Sequence, residues 1–287
     1  MDAATVEAPA PAAANPFRSH VARIVRVSPE GPGLKTFELA FRDETIWEQF
    51  RPQPGQFIEL SVFGEGESPF GVATAPSEER QLRVSVQEVG RLTRALHRLH
   101  EGDEVGVRGP FGHGWPLADQ KGKHVILIAG GIGLPPIRTA FVHALDHATD
   151  YTGISLFYGA RTMEHITYKD EVARWREDSR ANVHLCVDVG CEAWEGHVGV
   201  ITTLIEKVAP DPANAVTMTC GPPIMIHFIV PTLQKLGFAD EQIVVSLEAR
   251  MKCGIGKCGR CNLAHEYICL DGPVFTLAHL KELGVSV

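Results

Sequence analysis

The sequence predicts a chain of two architectures, an antiparallel β-barrel followed by a doubly wound α/β parallel sheet, with a small cysteine loop at the C-terminus. Three observations predict it. Residues 17–118 read as short alternating apolar and polar runs punctuated by Gly and Pro. Residues 119–248 read as continuous apolar runs alternating with helical stretches. Residues 249–287 hold four of the chain's seven cysteines within seventeen positions. At 287 residues the chain is long enough for two ordinary domains, each with its own core.

Composition bounds the function classes. With 44% hydrophobic and 22% charged residues the chain has the make-up of a globular protein. A net charge of −8 argues against a nucleic-acid partner, which calls for a basic face, and against attraction to anionic lipid. Residues 1–16, "MDAATVEAPAPAAANP", are rich in Ala and Pro and lack a basic start or an apolar run. They are expected to form a disordered leader rather than a secretory signal. No run of about 18 apolar residues occurs, so no membrane insertion is expected. Clustered cysteines without a signal peptide fit a reducing compartment, hence a cytoplasmic location.

The first domain is built from "VARIVRVS", "KTFELAF", "QFIELSVFG", "LRVSVQEV" and "DEVGVRGPFG". In the fourth, Leu82, Val84 and Val86 alternate with Arg83, Ser85 and Gln87, as a half-buried antiparallel strand requires. Several such strands at turn-separated spacing predict a small barrel. The exception is "RLTRALHRLH", where Leu92, Ala95, Leu96 and Leu99 keep a helical period. After "ADQKGK" the period changes. "HVILIAGG" is an apolar run suited to a parallel strand covered on both faces. It leads into "LPPIRTAFVHALDHA", a helix with proline in its first turn. "GISLFYGA", "NVHLCVDV", "AVTMTCGPP" and "QIVVSLEA" then alternate with "YKDEVARWRED" and "GVITTLIEKVA", which predicts the doubly wound sheet. The cysteine segment follows as an appendage.

Cys253, Cys258, Cys261 and Cys269 are spaced C-x4-C-x2-C-x7-C, close to the arrangement that wraps a plant-type 2Fe-2S cluster. Gly254, Gly256 and Gly259 between them allow sharp turns with positive φ and bring N–H groups toward cluster sulfurs. A structural zinc knot also takes four thiolates, but it more often shows paired C-x2-C hooks, and only one occurs here. The second signal is "LIAGGIGLPPIR". Gly130, Gly131 and Gly133 allow a tight turn and close backbone approach, and the following helix offers free N–H groups to a pyrophosphate. The spacing departs from G-x-G-x-x-G, with Pro135 and Pro136 after the last glycine. "TCGPP", from Cys220 through Gly221 and Pro222, ends a strand at the carboxyl edge where such sheets bind ligands, although a lone Cys is usually a small buried hydrophobe. Arg161 follows the second strand, where a 2′-phosphate is often met. His143 with His147, and Cys186 with Cys191, lack further ligands and read as ordinary surface or core residues.

The order of barrel, "GPFG", "AGGIGLPP", "FYGAR" and "CGPP" resembles the ferredoxin-NADP reductase superfamily over nearly the whole chain beyond the leader. The closing "MKCGIGKCGRCNL" and "YICLDGPVF" resemble the gamma, or diaphorase, subunits of cytosolic NAD(P)-linked nickel-iron hydrogenases, also called sulfhydrogenases. The electron-transfer subunit of dihydroorotate dehydrogenase is a more distant relative. The resemblance implies FAD held between a barrel domain (17–118) and an NAD(P) domain (119–248), with a 2Fe-2S segment at 249–287. It places flavin contacts on Phe70, Gly71, Val72 and Thr74 in "SPFGVATAPS" and on Gly90, Leu92 and Thr93. The family's R-x-[YF]-[ST] motif falls on Ser68-Pro69-Phe70-Gly71, so its arginine and hydroxyl are missing; Arg91 is the candidate replacement charge. Read from its residues alone, Thr93 is a helix N-cap. NAD(P) contacts fall on Gly130, Gly131, Gly133, Pro135, Arg161, Cys220, Gly221 and Pro222, and no acid–base catalytic residue is required.

A flavin that accepts hydride and releases electrons singly reconciles nicotinamide with a one-electron cluster. The implied partners are the large and small subunits of a NiFe hydrogenase and an additional iron-sulfur subunit. A dihydroorotate dehydrogenase or oxygenase partner is the alternative, and a zinc-binding scaffold subunit is the non-enzyme alternative.

Overall fold

Alternate side chains of six strands turn inward to make the first core. The computed structural model describes residues 15–287; most of the expected leader lies outside the described residues. The strands are β1 (His20–Gly31), β2 (Leu34–Phe41), β3 (Phe57–Val62), β4 (Gly66–Gly71), β5 (Leu82–Gln87) and β6 (Glu104–Phe111), with helix α1 (Arg91–His97) between the last two. They form one antiparallel sheet in the order β4-β3-β6-β1-β2-β5. Ile24, Phe37, Leu39, Ile58, Leu60, Val84 and Val107 fill its interior. The end strands β4 and β5 do not pair. The Ala73 N–H donates to the Arg83 carbonyl (2.9 Å) just past β4, drawing the two edges together and leaving an unbonded seam. β4 is not visible in the sequence pattern. It contains Pro69, which an edge strand tolerates because its missing N–H faces no ladder partner.

The second sheet contains β7 (His124–Gly130), β8 (Gly153–Ala160), β9 (Asn182–Val187), β10 (His197–Val198), β11 (Ala215–Cys220) and β12 (Ile243–Ser246). Helices α2 (Leu134–Asp146), α3 (Lys169–Glu177), α4 (Ile201–Val208) and α5 (Pro223–Lys235) connect them. These strands run parallel. In β7, Val125, Leu127 and Ala129 face one apolar core and Ile126 and Ile128 the other, which explains the unbroken apolar run. The strand order reverses between β7 and β11, and such a reversal opens a crevice at the carboxyl ends of the strands.

The C-terminal segment is more than an appendage. It forms β13 (Asn262–Leu263), β14 (Glu266–Tyr267), the single turn α6 (Ile268–Asp271), β15 (Val274–Thr276) and α7 (Leu277–Glu282). β15 joins β12 antiparallel as the edge of the parallel sheet. Phe275, Leu277 and Leu280 bury in the same core as β12, which is the physical reason the segment returns. No helix among the described residues is long and apolar enough to cross a membrane.

The two sheets are joined by charge. Arg138 in α2, only 3% exposed, donates to Glu78 (2.6 and 2.8 Å) and the Ala73 carbonyl (2.6 Å) of the barrel, and to Glu171 of α3 (2.6 Å). Arg83 of β5 reaches the same Glu171 (2.8 Å). Burial alone would raise the Glu78 pKa, but the hydrogen bonds and charge of Arg138 hold it below its ordinary value of 4.5. Its contribution to stability is therefore present above about pH 4.5 and is lost as pH falls through the lower folded value. Replacing Arg138 by Ala removes the main partner of Glu78 and Glu171 and leaves Arg83 as their remaining cation (3.8 and 2.8 Å). The expected loss is about 3 kcal/mol, read as a lower denaturation midpoint at pH 7, and it shrinks below pH 4 in the same assay.

Candidate functional site

A cavity of about 520 Å³ lies where the barrel seam meets the carboxyl edge of the parallel sheet. Phe70 and Gly71 of β4 form one wall and Ser85 and Gln87 of β5 the next, with the start of α1 closing the end. Opposite stand Ile132, Gly133 and Pro135 from the turn after β7, Cys220 at the end of β11, and Ser246 and Glu248 at the end of β12. The domains approach closely here. A Cβ on Gly71 would collide with the ring of Pro136, and one on Gly133 would overlap the Cys220 carbonyl. Only glycine keeps these walls together.

The structure gathers Phe70, Gly71, Gly90, Leu92, Thr93, Gly133, Pro135 and Cys220 around this cavity. Val72 and Thr74 do not line it. Val72 packs in the barrel core, and the Thr74 hydroxyl accepts the Arg83 N–H (2.6 Å), which fixes the exit of β4. Gly130, Gly131, Gly221 and Pro222 do not line it; Gly130 and Gly221 pack against Met225, and Gly131 takes φ +51° with open space beside it. Arg161 lies farther out, exposed after β8. Thr93 is not the N-cap of α1. Gly90 holds that place, and the Thr93 hydroxyl reaches back from the third helical residue to accept the Gly90 and Val89 N–H groups (2.8 and 3.0 Å). Arg91 lines the cavity with its guanidinium paired to Glu65 (2.9 Å).

Sequence reasoning missed Phe57, Ser246, Glu248, Met251 and Pro273, which also line the cavity. The carboxyl-edge rule that singled out Cys220 extends one strand over, since Cys220 pairs with Ser246 in register. Burial and the nearby Glu248 charge push the Cys220 thiol up to about 12, so it is neutral at pH 7. Glu248 keeps much of its surface, but its carboxyl is partly withdrawn from water and its pKa is raised.

The cysteine loop packs against the same region. Gly254, Gly256 and Gly259 take φ of +71°, +69° and +69°, turning the chain so that its N–H groups face inward. Ile255 and Cys258 N–H donate to Cys253 Sγ (3.5 and 3.4 Å), and Gly256 N–H donates to Cys269 Sγ (3.1 Å). Burial would raise the Cys253 thiol, but these N–H bonds bring it down to about 7, whereas burial and the neighbouring Cys261 push Cys269 up to about 12. Cys258 is among the neighbours that act on the Cys253 thiol, and Cys261 among those that act on Cys269. Among the described residues no three His, Cys, Asp or Glu side chains surround one point. Two thiolates for each of two irons is the donor set of a 2Fe-2S centre, while structural zinc takes four around one ion. Cys186 is buried and Cys191 exposed, and His147 merely bonds the His143 carbonyl through Nδ1 (2.9 Å).

A second buried arginine mounts the loop on the barrel. Arg108 of β6, 4% exposed, donates to the Cys253 carbonyl (3.0 Å) and the Pro16 carbonyl (3.0 Å) and grips Glu67 through two nitrogens. Glu59, its cross-strand neighbour, is fully buried with neither carboxylate oxygen hydrogen-bonded. Phe111 lies under Gly254 and beside Phe57 (5.8 Å between ring centres).

Comparison with known proteins agrees with this geometry. Residues 127–230 match the oxidoreductase NAD-binding domain, and residues 248–281 match the iron-sulfur cluster binding domain of dihydroorotate dehydrogenase B. The chain is 37% identical to sulfhydrogenase 2 subunit gamma of Pyrococcus furiosus, over 91% of this chain and 96% of that one. It is 34% identical to the probable dihydroorotate dehydrogenase B (NAD(+)) electron transfer subunit of Methanocaldococcus jannaschii, over 92% and 93%. Among solved structures it resembles the NADH-dependent reduced ferredoxin-NADP oxidoreductase, with TM-score 0.72 and 26% identity over 91% of each chain. The fold is also that of a ferredoxin NADP+ reductase from Neisseria gonorrhoeae solved with FAD and NADP, with TM-score 0.67 and 20% identity over 78% of this chain and 96% of that one.

Glu59 gives this region a pH signature. Burial, then the Glu67 charge, lift its pKa from 4.5 to about 8, against the pull of Arg108. A raised folded pKa favours the protonated fold, so this stabilisation is complete below pH 4.5 and is lost as pH rises through 8. Glu59→Gln is expected to raise Tm relative to the parent above pH 8 and to leave it unchanged below pH 4.5, measured by calorimetry across that range. A constant difference at all pH values refutes it.

Proposed function

Because the chain belongs to the family of sulfhydrogenase gamma subunits and dihydroorotate dehydrogenase B electron-transfer subunits, we propose that it links NAD(P)H to a hydrogenase complex through FAD and a 2Fe-2S centre. One observation carries the reading. Phe57 lines the cavity and packs in the same apolar core as Cys261 and Cys269, while Met251 and Pro273 line the cavity from the two ends of the cysteine segment. The cavity and two of the four cysteines thus border the same apolar core.

When bound, FAD takes hydride from NAD(P)H and gives up electrons singly, which a 2Fe-2S centre accepts one at a time. The chain's task is to hold, orient and keep water out. Phe70 and Gly71, with Gly90, Leu92 and Thr93, would hold the flavin in the cavity they line, and Val72 and Thr74 would brace their strand from the barrel side. Gly130, Gly131, Gly133 and Pro135, with Cys220, Gly221 and Pro222, would receive NAD(P), and Arg161, exposed after β8, would supply a cation for its phosphates. The neutral Cys220 thiol offers a soft S–H without a competing charge at the nicotinamide. Cys253, Cys258, Cys261 and Cys269 hold the cluster.

The proposed partners are NiFe hydrogenase large and small subunits and a further iron-sulfur subunit, in the cytoplasm. The match of residues 248–281 favours dihydroorotate dehydrogenase as the second reading. Copurification with a nickel protein or with a pyrimidine-oxidising flavoprotein separates the two. Anaerobically purified protein is expected to contain iron and FAD and to reduce a dye with NAD(P)H. Cys258→Ala is expected to keep hydride transfer to a two-electron dye and to lose most delivery to one-electron protein acceptors. Colourless protein containing zinc overturns the assignment.

A further inference from the structure

Between Ala249 and His265 the chain carries Arg250, Lys252, Lys257 and Arg260 and no carboxylate, in a protein of net charge −8. All four are exposed, and among the described residues none pairs with a carboxylate. Lys257 and Arg260 flank Cys258 along the chain and Arg250 and Lys252 precede Cys253; Cys258 is the exposed member of the cysteine set, while Cys253, Cys261 and Cys269 are buried. Beside them Leu270, 44% exposed, lies over Gly256. Like charges crowded into eleven residues repel one another, and an acidic surface relieves that repulsion while steering encounter.

We propose that this collar is the docking face for an acidic electron-carrier protein. Its carboxylates seat on Arg250, Lys252, Lys257 and Arg260, a small apolar spot covers Leu270, and its redox centre lies over Cys258. The inference rests on the redox reading above and adds the partner's charge. One electron passes per encounter: this chain is oxidised by one unit and the carrier reduced by one, so each hydride from NAD(P)H serves two encounters. No bond is made or broken.

The test is stopped-flow electron transfer from the NAD(P)H-reduced holoprotein to a purified acidic ferredoxin and, separately, to basic cytochrome c. With ferredoxin, the second-order rate is expected to fall about tenfold or more from low to high ionic strength. The variant Lys257→Glu with Arg260→Glu is expected to slow ferredoxin by about tenfold at low salt and to flatten its salt dependence. Cytochrome c should not slow. Arg250→Glu, outside the cysteine span, should give a smaller shift of the same sign, and it decides the matter if the double variant loses iron. Equal slowing of both carriers, an unchanged ferredoxin rate, or binding of phosphatidylserine vesicles as the sole property the variants abolish overturns the proposal. Failure of the redox reading looks different: the parent protein itself would lack iron, flavin and dye reduction.

Discussion

A buried guanidinium decides where the two domains meet. Arg138 has no water to pair with and must be met by Glu78, Glu171 and the Ala73 carbonyl at once, which is possible in one relative placement of barrel and sheet. The cavity depends on that placement, because its walls come from both domains and the Gly71 backbone of the barrel meets the Pro136 ring of α2. Arg108 repeats the device for the cysteine loop, holding the Cys253 carbonyl to the barrel through the charge of Glu67. Two arginines thus fix the three parts of the molecule, and the functional region lies between them.

Much of this was legible beforehand because apolar periodicity reports directly on burial. The alternation in "KTFELAF" and the unbroken run in "HVILIAGG" named their strands, and the cysteine spacing with its three glycines named the loop. What stayed hidden is what depends on distant partners. β4 is stabilised by its ladder to β3 despite Pro69, so its own residues carry no strand signal. Neither arginine announces its burial, since an isolated Arg in a sequence reads as surface. Glu248 and Met251 enter the site only because β12 and the loop after it end beside Cys220.

The missing arginine of the flavin motif has a physical consequence for the cavity. With Ser68 in its place, the cation lining this wall is Arg91, already engaged with Glu65 across the seam. A flavin phosphate bound here, as proposed above, would compete with Glu65 for the guanidinium, and its attraction would be the difference between two pairings.

The return of the C-terminal segment as β15 protects one flank of the parallel sheet. A parallel sheet ending at β12 would leave a row of unpaired amides and carbonyls ready to template another chain. The strand that covers this row comes directly after Cys269 and Pro273, so the same few residues that close the metal loop also seal the sheet. Closing the cysteine loop and covering the sheet's flank therefore fall to one short, continuous stretch of chain.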